Sequence, residues 1–160
     1  MRTVSRAFFQ SVLRVAAVAL FILPVWGEQG SPAGVWKTID DRTHQPRGTI
    51  RVYEERGLWF GRIESSFNPA ERYERCDKCS GERKDQPVIG MVVMRGLAKH
   101  GSEYSGGDIL DPDTGFVYQC RFTMSSDGKK LLVRGFFGIS ILGRTQVWIR
   151  EEEKSGARSD

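Results

Sequence analysis

The stretch that decides the fold is residues 116–124, which read FVYQCRFTM. Large or apolar side chains occupy every second position from residue 116, and mostly polar ones fall between them. A period of two is typical of a β-strand that buries one face. The same alternation recurs over residues 49–53 and 145–150, so the chain is predicted to be all-β.

Other segments share this strand-like character, and glycine-containing turns separate most of them. The candidate strands span residues 34–39, 48–54, 58–65, 89–95, 103–110, 116–124, 130–137 and 144–151. Only residues 68–87 form a long connection. Short antiparallel strands at this spacing favour a single small β-barrel of about eight strands, because closure removes the exposed sheet edges. A β-sandwich is the alternative architecture.

The first and last predicted strands carry a further indication of closure. Gly34-Val35-Trp36 opens the first strand, and Arg144 and Arg150 lie on the last. This arrangement resembles lipocalin-like (calycin) barrels, in which the indole of a Gly-x-Trp motif packs across the closed end and an arginine lies on its ring. Such a contact combines stacking with a cation–π interaction. The resemblance implies structural roles for Trp36 and for one arginine, Arg144 or Arg150.

The N-terminus has the three-part pattern of a secretory signal peptide. Arg2, Arg6 and Arg14 accompany an apolar run over residues 15–23, and Val25-Trp26-Gly27 resembles a cleavage site. The apolar run is far shorter than the ~20 residues that a membrane-spanning helix needs. We therefore expect cleavage after Gly27 and a periplasmic or secreted protein with no stable transmembrane anchor.

Four segments are predicted along the chain. They are a signal peptide over residues 1–27, a linker over 28–33, a β-barrel domain over 34–151 and a disordered charged tail over 152–160. The linker is expected to be loose, and the tail should fray because it lacks large apolar residues. About 130 mature residues suffice for one domain with one core.

The charge balance argues against nucleic acid as a partner. The chain has 24 lysines and arginines against 20 acidic residues, and three of the arginines lie in the predicted leader. The mature chain is therefore nearly neutral. Nucleic-acid binding needs a persistent basic patch that displaces counterions from phosphates. The charges between Arg62 and Asp85 are mixed in sign, which is typical of a solvated surface.

A resemblance to a known family covers nearly the whole mature chain. The matching segments are 34–38 (GVWKT), 61–63 (GRI), 86–91 (QPVIGM), 106–112 (GGDILDP), Tyr118, 133–135 (VRG) and 142–148 (LGRTQVW). In this order and spacing they resemble the exported bacterial proteins known as domain of unknown function 2147, and residues 76–85 resemble one branch of that family. The resemblance implies an exported, barrel-like domain. It implies no activity and no catalytic residues.

The cysteines are compatible with several interpretations. Cys76 and Cys79, spaced as Cys-x-x-Cys in a polar loop, suit a structural disulfide, a redox-active pair or half of a metal site. The local disulfide is favoured, since a metal site would also need Cys120, His44 or His100 nearby. The polar neighbours of the pair predict an exposed loop that reductant reaches. Cys120 lies on the apolar face of its strand and is predicted to be a buried, unreactive thiol, with pairing to one loop cysteine as the alternative.

The candidate ligand-binding residues are polar side chains on the later strands: Asp108, Tyr118, Arg134, Arg144 and Gln146. Asp108 is expected to point inward and to pair with Arg134 or Arg144, because a buried charge needs a partner. At the mouth of a barrel, such a pair would orient the polar head of a ligand.

No catalytic constellation emerges from the sequence. His44 and His100 lie in predicted turns, and neither accompanies a nucleophile motif such as Gly-x-Ser-x-Gly. Residues 111–115, DPDTG, are interpreted as a hairpin turn, because an EF-hand calcium loop needs further ligands and a distal glutamate. No cofactor and no metal are predicted.

Three functional hypotheses follow. The favoured one is an exported, non-catalytic barrel that binds a small apolar or amphipathic ligand in the cell envelope. The second is an envelope module that docks a protein or protects against stress through the cysteine loop and the outer surface. The third is an envelope enzyme of unknown reaction. An apolar cavity of several hundred Å³ would favour the first, whereas a filled core with an exposed aromatic patch would favour the second.

Overall fold

The computed structural model describes residues 30–40, 43–139 and 143–152. Eight antiparallel strands form one closed barrel, in which each strand pairs with its neighbours in sequence and β1 pairs with β8. The strands are β1 Gly34–Ile39, β2 Pro46–Glu55, β3 Leu58–Ser66, β4 Val92–His100, β5 Glu103–Leu110, β6 Val117–Met124, β7 Lys130–Phe136 and β8 Gly143–Arg150. The all-β class and the single antiparallel barrel are confirmed, and the β-sandwich alternative is wrong.

Because successive strands run in opposite directions, the connections alternate between the two ends of the barrel. At one end, which we call the closed end, the hairpins are short. The β2–β3 hairpin turns through Arg56 and Gly57, which both have positive φ, at 54° and 81°. This pair of conformations defines the tight turn that best matches strand twist. The opposite end, the open end, carries longer connections, including residues 67–91 between β3 and β4.

Aromatic side chains fill the closed half of the barrel. The rings of Trp59 and Tyr104 meet edge to face with centroids 5.3 Å apart, and Tyr104 stacks on Phe122 at 4.5 Å. Leu97 and Leu131 are fully buried beside them in the same core. Aromatic pairs in these geometries contribute about 0.5–1.5 kcal/mol each beyond their buried area. The closed half is therefore a packed core.

Trp36 and Arg150 close this end of the barrel. Trp36 is fully buried, and the guanidinium carbon of Arg150 lies 4.2 Å from the centroid of its ring. The indole nitrogen donates to the carbonyl of Pro32 at 2.9 Å. Of the two arginines proposed for this role, Arg150 occupies it, whereas Arg144 lies at the other end of β8.

The residues before β1 are anchored to the barrel. Pro32 is buried, and the guanidinium of Arg150 donates to the carbonyls of Ser31 and Ala33 at 2.8 and 2.9 Å. Residues 31–33, which the sequence assigns to a loose linker, therefore contact the barrel through Arg150 and Trp36. The predicted signal peptide over residues 1–27 and residues 153–160 of the predicted tail lie outside the described residues. In the described part, no helix is long and apolar enough to cross a bilayer.

The long β3–β4 connection holds two short 3₁₀ helices, Pro69–Tyr73 and Gly81–Arg83. It ends later than predicted. β4 begins at Val92 and runs to His100, so the predicted strand over residues 89–95 is wrong at both ends. Residues 89–91 complete the connection in a turn, with Gly90 at positive φ. The start of β4 at Val92 cannot be located from the sequence, because residues 88–94 (VIGMVVM) are apolar on both sides of this boundary.

Candidate functional site

The open half of the barrel encloses a cavity of about 400 Å³. Its wall is largely apolar, and the lining side chains come from several strands of the barrel. The apolar lining residues include Ile50, Ile63, Val93, Ile109, Val133 and Trp148. A volume of this size is at the lower end of the range that holds small organic ligands.

The cavity extends to the wall at β7 because the inward position at residue 135 carries no side chain. Gly135 lies on the inward face of β7, in line with the buried Leu131 and Val133, and it lines the cavity. A Cβ at Gly135 would meet Ile109 and Tyr118 at 3.4 Å, which is ordinary contact. Glycine at this position therefore reflects space left open, since no close approach of the backbone requires it.

The inward face of β8 is unusual in its composition. Gln146, Trp148 and Arg150 point into the barrel, whereas Val147 and Ile149 are exposed on its outside. The indole nitrogen of Trp148 donates to Oε1 of Gln146 at 3.2 Å. This bond orients an amide inside an otherwise apolar wall, which suits recognition of a polar group on a ligand.

Tyr118 and Arg144 lie near the mouth of the cavity and also line it. The ring of Tyr118 packs on that of Phe137 with centroids 4.4 Å apart, and Phe137 in turn meets Phe116 edge to face at 6.3 Å. Phe116 and Phe137 are more than half exposed. The expectation that Phe116 belongs to the buried face of its strand is wrong, because β6 begins one residue later, at Val117.

Charged residues ring the mouth. Asp40, Glu71, Glu74, Asp111 and Asp113 contribute five carboxylates to the lining, and Arg47 and Arg144 contribute two guanidinium groups. Arg47 bonds to Asp113 at 2.6 Å. Burial by itself would lower the pKa of Arg47. The hydrogen bond to Asp113 and the negative charges of Asp113, Glu71 and Asp111 outweigh burial and raise that pKa. Carboxylates therefore outnumber guanidinium groups among the described residues of this lining.

The Cys76–Cys79 disulfide lies beside this mouth. Its two sulfur-bearing residues are buried, at 1% and 5% exposure, although Asp77 and Lys78 between them are exposed. The predicted local pairing is thus present, but the expectation of a disulfide open to reductant is wrong. Polar neighbours face solvent here while the cysteines themselves pack against the core.

The cysteine loop, residues 75–80, packs on the predicted hairpin turn 111–115. Lys78 donates from Nζ to the carbonyl of Asp113 at 2.7 Å. A Cβ at Gly115, which has a φ of +74°, would collide with the carbonyl of Lys78. Glycine is therefore required there by both conformation and space. The turn itself closes through donation from the backbone nitrogens of Thr114 and Gly115 to the carbonyl of Asp111.

Asp108 and Arg134, two of the predicted ligand-binding residues, face the outside of the barrel. Asp108 accepts from Arg83 of the outer connection at 3.4 Å. Arg134 donates to the hydroxyl of Thr145 at 2.8 Å. The expectation that Asp108 points inward to pair with Arg134 or Arg144 is wrong. Tyr118, Arg144 and Gln146, the other three predicted residues, are brought together in the cavity lining.

The third cysteine and the histidines form no joint site. Cys120 is buried, and burial, with a smaller contribution from the charge of Asp108, raises the pKa of its thiol to about 12. The thiol is therefore neutral and a poor nucleophile at physiological pH. His44 precedes β2 at the open end and His100 ends β4 at the closed end. Within the described ranges, no three His, Cys, Asp or Glu side chains form a cluster that could hold a metal.

Several lining residues escape prediction from the sequence. Strand periodicity identifies Ile50, Val133 and Trp148 as inward, but it does not say whether the space between them is filled. The acidic rim comes from three separate connections, whose proximity follows only from the barrel topology. The useful signal is the glycine at the inward position 135, since an inward glycine leaves volume unfilled.

A family model described as "Uncharacterized protein conserved in bacteria (DUF2147)" matches residues 34–150. The chain belongs to this DUF2147 family. The match runs from the first residue of β1 to the last residue of β8, so the resemblance drawn from the sequence segments is confirmed. No curated protein sequence matches this DUF2147 chain.

A solved structure is also similar to the DUF2147 barrel. It is protein HP1028 from the human pathogen Helicobacter pylori, which is described as belonging to the lipocalin family. The TM-score is 0.69 at 17% sequence identity, and the likeness covers 78% of this chain and 85% of that chain. At this identity the likeness concerns the fold alone. It confirms the lipocalin-like architecture of this DUF2147 protein.

Proposed function

We propose that this DUF2147 protein binds a small amphipathic ligand in its barrel and releases it unchanged. The observation that carries the proposal is the cavity of about 400 Å³, which occupies one half of a barrel whose other half is fully packed. An apolar body would lie against Ile63, Val93 and Val133. A polar head would lie at the mouth near Tyr118.

The composition of the lining supports binding without turnover. Gln146 and Tyr118 offer hydrogen-bonding groups, and neither is paired with a nucleophile within the described part of the chain. The buried thiol of Cys120 has a pKa raised to about 12, so it does not serve as a nucleophile at neutral pH. The cavity therefore has the features of a carrier site.

The envelope is the proposed compartment. Support comes from the charged and apolar pattern of residues 1–27 and from the buried Cys76–Cys79 disulfide, a bond that persists in oxidising compartments. Expressed in a Gram-negative bacterium, the protein should lose about 27 residues and appear in the periplasmic fraction. Retention of the intact precursor in the membrane would contradict this assignment.

Ligand binding is tested by titrating the mature protein with N-phenyl-1-naphthylamine, an uncharged apolar dye that fluoresces when it leaves water. The wild type should bind one dye saturably. Gly135→Leu should weaken binding at least about tenfold, or about 1.4 kcal/mol, because the new side chain occupies the cavity. Leu132→Met, on the outer face of the same strand, is the matched control and should bind normally.

Two results would contradict the carrier function. One is a wild type that binds no dye at micromolar concentrations. The other is a folded Gly135→Leu variant, as judged by near-ultraviolet circular dichroism, that binds the dye as tightly as the wild type. That second result would place the dye on the outer surface.

Protein docking is a second candidate function, and the outer wall of β7 and β8 favours it. Leu132 and Val147 are direct cross-strand partners there, and Ile149 lies beside them; all three are exposed. A Leu132→Ser, Val147→Ser double variant should lose chemical crosslinks to envelope proteins that the wild type forms. Identical crosslinking by both proteins would remove this candidate.

A further inference from the structure

The cavity is asymmetric in charge along its length. Its inner wall is apolar, and its mouth carries the carboxylates of Asp40, Glu71, Glu74, Asp111 and Asp113. Among the residues that the structure describes, two arginines, Arg47 and Arg144, belong to the same lining. The mouth carries more negative than positive groups, and the wall behind it has a low dielectric constant. Such an arrangement concentrates negative electrostatic potential at the entrance.

The positive charge of Arg47 is largely neutralised by the carboxylate groups around it. Its guanidinium bonds to the carboxylate of Asp113 at 2.6 Å, and Glu71 and Asp111 lie close enough to raise its pKa further. Lys78 lies outside the lining and is bonded to the carbonyl of Asp113. Arg144 remains as the other cation of the lining.

Glu74 is the clearest contributor to the negative potential. It is exposed at the mouth, and its carboxylate makes no hydrogen bond or ion pair with another described residue. Glu71, in contrast, is held by the hydroxyl of Ser66 and the amide of Asn68. Neutralising Glu74 therefore changes the charge of the mouth without breaking a structural contact.

Aromatic rings complete the mouth on the side of β6 and β7. Tyr118 lines the cavity, and Phe137 packs on it at 4.4 Å. Ring faces attract cations, and quaternary ammonium groups are commonly recognised by such rings together with carboxylates. An anionic head would instead meet carboxylates and the negative faces of these rings.

Resting on the proposed carrier function, we infer that the ligand is an amphiphile with a positively charged head, such as a substituted ammonium. Its apolar body lies against the inner wall, and its head lies at the mouth between the carboxylates and Tyr118. Charge complementarity at the mouth then selects this class over anionic amphiphiles of the same length.

The test uses three competitors that share a decyl chain and differ only in the head: decyltrimethylammonium, decyl sulfate and 1-decanol. Each displaces N-phenyl-1-naphthylamine from the mature protein at low ionic strength, below its micelle-forming concentration. We expect decyltrimethylammonium to bind at least about tenfold more tightly than decyl sulfate. Added salt should weaken binding of the cation and leave that of decanol unchanged, because salt screens only charged interactions.

Two variants locate the effect. Glu74→Gln should weaken binding of decyltrimethylammonium about threefold and leave 1-decanol unchanged, since one nearby charge is lost. Glu55→Gln is the matched control, because Glu55 is an exposed carboxylate in the hairpin at the closed end. It should leave the affinities of all three competitors unchanged.

Three outcomes would overturn the inference. Tighter binding of decyl sulfate would show that the arginines govern the mouth. Equal binding of the three competitors, with no effect of Glu74→Gln, would remove the charge preference and leave the carrier function standing. Failure of the wild type to bind the dye at all would remove both the carrier function and the inference.

Discussion

The two halves of the barrel are built from the same eight strands and differ in what fills them. In the closed half, Trp36, Trp59, Tyr104 and Phe122 interlock, and short hairpins connect the strands. In the open half, the inward Gly135 leaves volume unfilled beside the cavity, and long connections form a charged mouth. Stability is therefore concentrated at one end and binding at the other, so substitutions at the two ends should have separable effects.

The largest expected effect comes from two buried tryptophans, Trp36 at the closed end and Trp148 on the wall of the cavity. Trp36→Ala should lower the free energy of unfolding by about 3–5 kcal/mol, since it removes a fully packed ring. Trp148→Ala should have a smaller effect on the free energy of unfolding, because one side of its ring already faces the cavity. Urea denaturation measures both. Equal losses for the two variants would break the comparison between a packed half and an open half.

Arg150 gives the next largest effect. Its guanidinium donates to the carbonyls of Ser31, Ala33 and Gly128 and lies on the ring of Trp36. Arg150→Lys keeps the charge but loses the planar fork, so it should cost about 2–3 kcal/mol of unfolding free energy. Arg62→Lys is the control, since Arg62 lies over Tyr53 at 5.5 Å and is exposed. The free energy of unfolding of Arg62→Lys should stay within about 0.5 kcal/mol of the wild-type value.

The disulfide is expected to matter less, and mainly at the open end. Replacing Cys76 and Cys79 together by serine reopens a very small loop, so the loss of unfolding free energy should be about 2 kcal/mol or less. The barrel should stay folded, whereas amide hydrogen exchange should accelerate in residues 75–80 and 111–115, which pack on each other. Unfolding of the whole barrel in the variant would show that the bond supports both halves.

The smallest effect concerns Cys120 at high pH. The pKa of its thiol is about 12 in the fold and close to 9.0 when the chain is unfolded. Between these values only the unfolded thiol ionises, so the stabilising contribution is complete below pH 9 and is lost as pH rises. Between pH 8 and pH 10 the loss should be about 1.4 kcal/mol, and Cys120→Ala should lack this component. If the free energy of unfolding fell equally with pH in the wild type and in Cys120→Ala, the contribution assigned to this thiol would be contradicted.

The barrel is predictable from the sequence because its strands alternate and its turns carry glycine. The alternation over residues 117–124 and the Arg56-Gly57 turn are both found in the structure. The predicted local disulfide is also present. These features are local, since a strand's buried face and a tight turn are fixed by a few neighbouring residues.

Irregular strands explain the errors. In β5 the register against β6 shifts between Ser105 and Gly107, so one extra residue enters the strand. Simple alternation from the inward Tyr104 would place Asp108 inside, whereas the bulge turns Asp108 outward to Arg83. Bulges of this kind reverse the facing of every later residue. Gly106, with a φ of +89°, is the local signal, but it does not specify the register.

The cavity and its mouth are harder to predict than the strands. Tyr118, Arg144 and Gln146 are found in the lining, but the acidic rim comes from connections far apart in sequence, as with Asp40, Glu74 and Asp113. Their proximity depends on the topology of the closed barrel. Whether a core is filled depends on the sum of side-chain volumes across several strands, and no single segment contains that information.

The anchoring of residues 31–33 beside Arg150 has a practical consequence for handling the protein. Gly30 and Glu152, the two outer ends of the described chain, both leave the barrel at its closed end, because Glu151 donates to the carbonyl of Val35 in β1. An affinity tag, fluorophore or surface linker attached at either of these ends would therefore lie on the side of the closed end, away from the mouth. A protein immobilised in this way would present its mouth to the solution, ready for screening by surface-based binding methods.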